Sequence, residues 1–209
     1  MNPRLPTVLE VSKNPELVVI AGPNGSGKTS ITEQLLLHTW TENCLYINPD
    51  VIAQNEFGGW NSPVAFLQAA QKAERLREDC LRERRSMTFE TVFSAPDKVD
   101  FLRRAQVAGF FIRLFFVCTD SPGINIARIA QRVREGGHSV PREKIISRYS
   151  KAIAQCATIT SLVDRAYIYD NSVEDVAPAL LFRTENGALK KVYRIPVNDW
   201  AKPIYEQVK

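Results

Sequence analysis

The plainest chemistry in this chain lies in Gly22-Pro23-Asn24-Gly25-Ser26-Gly27-Lys28-Thr29-Ser30, which fits the pattern G-x-x-x-x-G-K-[ST]. Glycines in such a loop let backbone N–H groups curl around a β-phosphate, and a helix starting at its end points its positive dipole at the same anion. A lysine at this place bridges the β- and γ-phosphates, and the following threonine hydroxyl holds Mg²⁺. Read this way, Gly22 to Ser30 cradle a nucleoside triphosphate, Lys28 grips its phosphates and Thr29 faces the metal. The alternative is a plain glycine turn with an exposed lysine. The context opposes it: a β-branched run, Leu17 to Ala21, precedes the loop and a helix-period segment follows.

Two carboxylates and a group of arginines suit the same reaction. Asp50 follows one apolar run in Ile47-Asn48-Pro49-Asp50, and Glu90 closes another in Thr88-Phe89-Glu90-Thr91. Phosphoryl transfer needs an acceptor hydroxyl held in line and a carboxylate to take its proton, a role that suits Asp50; Glu90 would bind the acceptor's hydroxyls or sit behind the metal. A helix N-cap at Asp50, after Asn-Pro, and an ordinary strand-end charge at Glu90 are the competing readings. Between Arg128 and Arg148 lie six bases (Arg128, Arg132, Arg134, Arg142, Lys144, Arg148) against two acids, while the other 188 residues hold 21 bases and 21 acids. The whole net charge of +4 thus belongs to one short segment. A compact cluster suits one small, highly charged ligand better than a spread polyanion. Guanidinium groups stabilise charge on transferring phosphoryl oxygens, and a solvated helix face is the bland counterpart. His138, between glycines and Pro141, reads as a ligand or turn residue.

These residues need elements to hold them. Short apolar runs at Leu17–Ala21, Cys44–Asn48, Ser86–Val92, Phe110–Thr119 and Ala166–Asp170 alternate with helix-period segments at Gly27–His38, Pro63–Arg85, Pro96–Ala108, Pro122–Glu135 and Pro141–Val163. That alternation predicts an α/β protein of the P-loop nucleoside triphosphate hydrolase and kinase type, with a five-stranded, mostly parallel sheet flanked by helices. The helices meeting at Gly136-Gly137 would form an arginine-rich lid over about 122–150. Asn186-Gly187 between Ala179–Phe182 and Ala188–Ile195 predicts a C-terminal β-hairpin, followed by an amphipathic stretch from Trp200 to Val208. The 209 residues are expected to make one domain, with the hairpin and helix as an appendage over about 175–209.

Composition narrows the class. A hydrophobic share of 44% and a charged share of 24% exclude a disordered chain, a collagen-like repeat or a coiled coil. Cys44, Cys80, Cys118 and Cys156 stand 36, 38 and 38 residues apart without a CxxC pair, which argues against zinc and for buried thiols. The segment from Met1 to Leu17 lacks an apolar run of signal-peptide length, and the longest apolar stretch, Phe110–Cys118, is interrupted by Arg113. A cytoplasmic protein with no membrane partner is expected. No Asn-Lys-x-Asp guanine motif and no Leu-Ser-Gly-Gly-Gln stretch are present, which leaves the small-molecule kinase plan.

The motifs together resemble those of the zeta toxin family of P-loop kinases: Gly22 to Thr29, Asn48 to Asp50, Phe89 to Ser94, Arg132 to Pro141, Ile145 to Tyr149 and Tyr169 to Ser172, a likeness spanning about Leu17 to Ser172. The resemblance implies a kinase that uses ATP or GTP with Mg²⁺ to phosphorylate the 3′-hydroxyl of UDP-N-acetylglucosamine, and a protein antitoxin as partner. It further implies Lys28 on phosphate, Asp50 as general base, and Arg128 or Arg132 with Arg134 on the phosphates. Glu90, Thr91, Ser94, His138 and Arg148, with Asp50, fall on the substrate side. Where better-studied toxins carry E-G-T-x-R, this chain has Glu90-Thr91-Val92-Phe93-Ser94. Two other functions fit the loop as well: a P-loop kinase acting on another small molecule or a nucleic-acid end, and a nucleotide-binding regulator without transfer. The charge confined to one segment disfavours nucleic acid.

Overall fold

The computed structural model describes residues 14–59, 62–137 and 139–209; the segment before Asn14 lies outside them, as do Trp60, Asn61 and His138. Strand β1 (Glu16–Ala21) is buried from Leu17 onward because it lies mid-sheet, with helices on both faces. Its side chains alternate between two cores. Leu17, Val19 and Ala21 enter a large core with residues of α3 (Pro63–Arg82), α4 (Pro96–Val107) and α6 (Arg142–Thr160). Val18 and Ile20 enter a smaller one with Ile31 and Leu35 of α1 (Lys28–Leu36). There Phe115 and Tyr167 stack at 4.7 Å.

The sheet order is β2-β3-β1-β4-β5-β6-β7, with β2 (Leu45–Ile47), β3 (Met87–Thr91), β4 (Phe111–Cys118) and β5 (Arg165–Asp170) parallel to β1. Strands β6 (Ala179–Glu185) and β7 (Ala188–Val192) run antiparallel. The expected five parallel strands and the hairpin are both present, but they form one seven-stranded sheet: β6 pairs directly with β5, so the hairpin extends the sheet's edge. Its turn has positive φ at both Asn186 (51°) and Gly187 (76°), the geometry a tight two-residue hairpin requires.

The structure adds one helix to those expected, α2 (Pro49–Glu56), capped by the Asn48 side chain, which accepts from the Asp50 N–H at 2.9 Å. Helix α3 starts behind a similar cap, Ser62, and buries Ala65, Ala69, Ala73 and Arg77 at four-residue spacing. It stops at Arg82, short of Arg85, where Arg84 turns left-handed at φ 53°. Helix α5 (Pro122–Arg134) precedes α6, and a short 3-10 turn (Asp199–Ala201) leads into α7 (Lys202–Glu206). Trp200, Ala201, Ile204 and Val208 all bury into the large core. Because β1 to β5 are parallel, their carboxyl ends bring Gly22, Asn48, Glu90, Thr119 and Asn171 to a single edge.

Candidate functional site

The loop from Gly22 to Gly27 is built for close approach. Gly22 has φ 150°, Gly25 76° and Gly27 87°. A Cβ on Gly22 would lie 2.1 Å from the Val117 carbonyl oxygen, and one on Gly27 would lie 2.0 Å from the Asn171 amide nitrogen. The glycines are therefore required twice, by backbone angle and by space. Gly22 N–H donates to the Thr91 carbonyl at 3.2 Å, tying the loop to β3. On the other flank the Asn171 side chain donates to the Ser26 carbonyl at 2.9 Å, and the wholly buried Asn125 donates to the Asn24 carbonyl at 2.7 Å. Thr119 hydrogen-bonds Asn125 in turn.

What the cradle leaves unpaired indicates what it takes. Among the described residues the buried Ser26 hydroxyl has no hydrogen-bond partner and α1, which begins at Lys28, has no side-chain cap, so its first N–H groups face the loop. The Lys28 ammonium donates to the Gly22 carbonyl at 3.0 Å and the Pro23 carbonyl at 3.2 Å. Desolvation lowers its pKa to about 8, while Glu90 and Asp50 act to raise it and Arg132 to lower it. Lys28, Glu90, Arg132 and Asp50 thus share one electrostatic neighbourhood although 104 positions separate the first from Arg132. Thr29 and Ser30 present exposed side chains on the first turn of α1.

Glu90 is firmly held. Its Oε1 accepts from the Tyr46 hydroxyl at 2.7 Å and from Asn48 Nδ2 at 3.3 Å, and Asn48 also donates to Tyr46 Oη at 2.8 Å. Burial pushes the Tyr46 phenol upward, so it stays a donor to the carboxylate. Asp50 stands exposed in the first turn of α2. The Thr91 hydroxyl accepts from the Phe93 N–H at 3.1 Å, shaping the left-handed turn at Phe93. Ser94 and Arg148 meet in a hollow of about 310 Å³ lined also by Glu143, Lys144, Ser147 and Lys151. Arg148 additionally donates to the Asn24 side chain at 3.1 Å, so the hollow adjoins the phosphate loop.

The arginines divide. Arg132 lies within electrostatic reach of Lys28, and it and Arg134 are exposed in the last turn of α5. Arg128 points at backbone instead, donating to the Asn171 carbonyl at 2.8 Å and the Val173 carbonyl at 3.4 Å. His138 lies outside the described residues. Sequence reasoning missed Tyr46, Thr119, Asn125 and Asn171 as site residues. Asn171 stood within the Tyr169-Asp170-Asn171-Ser172 motif and was the one legible signal; an asparagine inside an amphipathic helix gives none.

The zeta toxin family model matches residues 5–177. The chain belongs to the Zeta toxin family. It is 26% identical over 134 residues to an uncharacterized protein of Haemophilus influenzae, covering 63% of this chain and 91% of that one. Among solved structures it resembles one from the PezAT toxin-antitoxin system of Streptococcus pneumoniae (TM-score 0.63, 16% identity, 94% of this chain and 79% of the other). It also resembles the AvrRxo1-ORF1:ORF2 complex with sulphate ions (TM-score 0.67, 18% identity, 95% and 66%) and with ATP (0.66, 18%, 94% and 64%). At these identities the likeness establishes the fold, a zeta-toxin-like P-loop kinase fold. Among the described residues no helix is long and apolar enough to cross a membrane.

Proposed function

We propose that this zeta toxin family member is an ATP-dependent phosphotransferase acting on a hydroxyl of a small molecule, with the 3′-hydroxyl of UDP-N-acetylglucosamine as acceptor. The observation that carries this reading is a glycine cradle with the Lys28 ammonium held on its carbonyls and a buried Ser26 hydroxyl that finds no partner among the described residues, Glu90, Asp50 and Arg132 lying within electrostatic reach of that ammonium. A triphosphate fits: its oxygens would accept from the loop N–H groups, the Ser26 hydroxyl and the Lys28 ammonium, which would exchange carbonyl partners for phosphate. Thr29 would supply a hydroxyl to Mg²⁺, whose charge would offset that on the phosphate oxygens. GTP is the alternative donor.

On the acceptor side Glu90, held by Tyr46 and Asn48, accepts from a sugar hydroxyl and orients it. Asp50 takes the proton of the attacking hydroxyl as its oxygen bonds the γ-phosphorus and the bond to the β-phosphate's bridging oxygen breaks. Arg132 and Arg134 stabilise the charge on the transferring group. The hollow at Ser94 and Arg148 receives the remainder of the acceptor. A protein antitoxin as partner rests on the toxin-antitoxin system from which one structural relative comes.

The test is transfer of labelled γ-phosphate from ATP to a panel of sugar nucleotides, with mass spectrometry of the product and Lys28→Ala and Asp50→Asn as controls. A labelled UDP-N-acetylglucosamine lost in both variants is expected. Labelling of another small molecule alone would remove the acceptor while keeping the kinase. Tight ATP binding with no transfer to any acceptor would favour the regulator.

A further inference from the structure

The family match ends at residue 177, but the chain beyond it returns to the phosphate edge. We infer that the C-terminal segment from Asn198 to Val208 is a positioning element of the nucleotide site, in which Trp200 and Asn198 fix the turn that presents Asn171 to the phosphate loop. The inference rests on the nucleotide reading above.

Three features support it. Asn171 joins three parts of the site: its N–H donates to the Cys118 carbonyl at 2.8 Å, its side-chain amide to the Ser26 carbonyl at 2.9 Å, and its carbonyl accepts from Arg128 at 2.8 Å. It is 8% exposed. Its neighbour Ser172 is tied to two aspartates at adjacent strand ends, to the carboxylate of Asp170 and to the backbone N–H of Asp120, and both aspartate carboxylates face the C-terminal segment. Ser172 donates its hydroxyl to Asp170 Oδ1 at 2.6 Å and accepts from the Asp120 N–H at 2.8 Å. Each of those carboxylates is then completed from the C-terminal segment: the Trp200 indole N–H reaches Asp170 Oδ1 at 3.2 Å, and the Asn198 amide reaches Asp120 Oδ1 at 2.7 Å.

The segment is anchored well enough to act as a brace. The Trp200 ring lies 6.1 Å from Phe116 of β4, Ile204 is fully buried, and Leu189 of β7 donates to the Val208 carbonyl at 2.7 Å. The Trp200 N–H orients the Asp170 carboxylate that accepts from Ser172, and the Asn198 amide holds the Asp120 side chain and with it the backbone N–H that donates to Ser172. Without them the carboxylates turn to water, Ser172 loses its fixed acceptor, and the Asn171 amide is no longer set against the Ser26 carbonyl. The nucleotide then meets a loop that must be ordered as it binds, which weakens affinity and leaves the transfer step intact.

The test measures ATP binding directly by titration on the full chain, well below the melting temperature, so that it needs no acceptor. Trp200→Phe keeps the ring against Phe116 and deletes only the N–H; Asn198→Asp replaces the donor with a carboxylate facing Asp120. The combined variant should bind ATP about tenfold more weakly, the scale of charge-assisted hydrogen bonds lost. In the transfer assay KM for ATP should rise while kcat holds. Asp120→Asn added to Asn198→Asp restores a donor and acceptor pair with roles reversed, and should recover affinity. This exchange also stands by itself where Trp200→Phe lowers yield. Unchanged ATP affinity in the folded variants, with only the melting temperature lowered, would overturn the positioning role. Failure of the wild-type chain to bind ATP at all would overturn the nucleotide site, and this role with it.

Discussion

The phosphate cradle and the arginine-bearing end of α5 are both basic and both glycine-marked, and the proposed reaction gives them one ligand, yet they are built oppositely. The cradle is fastened on each side: Thr91 holds Gly22, Asn125 holds Asn24, Asn171 holds Ser26, and a Cβ on Gly22 or Gly27 would strike a neighbour. The end of α5 is looser: among the described residues a Cβ on Gly136 would meet nothing within 4 Å, the crowding at Gly137 comes from Arg132 itself at 2.7 Å, and the Arg132 and Arg134 side chains are exposed. A group that binds ground-state phosphate gains by being fixed beforehand, whereas one that serves the transferring phosphoryl group must admit reactants first. The first should therefore show its substitutions in binding and folding, and the second in turnover.

The largest effects belong to the cradle. Lys28→Ala should abolish detectable ATP binding, and Gly27→Ala should do the same while also destabilising the fold, because it combines a left-handed φ of 87° with a collision against Asn171. Strain of that kind costs about 1–3 kcal/mol before the collision is counted, which urea denaturation will read. If Gly27→Ala binds ATP normally, the cradle is not the rigid half of the pair.

Next come the arginines. Replacing Arg132 and Arg134 together with alanine should lower kcat by about 10²- to 10³-fold, the usual scale for loss of transition-state charge stabilisation, with the denaturation midpoint within error of wild type. A large shift in the midpoint with turnover retained would reverse the assignment. Arg128 belongs with the cradle by its contacts, since it donates to the Asn171 and Val173 carbonyls. The sequence grouped it with the others because all three fall in the short segment that carries the excess charge; nearness along a helix does not say what a long side chain reaches.

Asn171→Ala is the middle case. It removes the bond to the Ser26 carbonyl from a residue 8% exposed, leaving that carbonyl unpaired, and should cost about 1–3 kcal/mol of stability together with weaker ATP binding. Such residues mark the limit of what the chain discloses in one dimension. The phosphate loop, the parallel strands and the Asn186-Gly187 turn were legible because each is specified within about ten residues. Asn171 and Asn125 act through backbone groups 145 and 101 positions away, and their own neighbourhoods carry no periodic mark of it. Helix α2 was legible only as the competing reading of Asp50, a cap after Asn-Pro: the cap is Asn48, which also hydrogen-bonds Glu90, and Asp50 lies in the first turn. The hairpin was visible, but its partner was not, since pairing of β6 with β5 depends on where α6 delivers the chain.

The smallest effect probes the cradle's charge. Burial holds the Lys28 ammonium at a pKa of about 8, down from 10.5. With the folded value lowered, the unfolded chain binds more protons between about pH 8 and 10.5, so this lysine's contribution to stability rises with pH across that window and is flat below it. Phosphate oxygens placed beside the ammonium favour its charged form and raise the value again. Binding of ATP to the unliganded protein should therefore take up a fraction of a proton near pH 8.5 and almost none at pH 6.5, where the lysine is already charged. Titration calorimetry in two buffers of different ionisation enthalpy reads this uptake, and Lys144→Ala, in the neighbouring hollow, should leave it unchanged. Equal uptake at both pH values would mean that the cradle does not desolvate Lys28, and that its rigidity comes from the backbone ties alone.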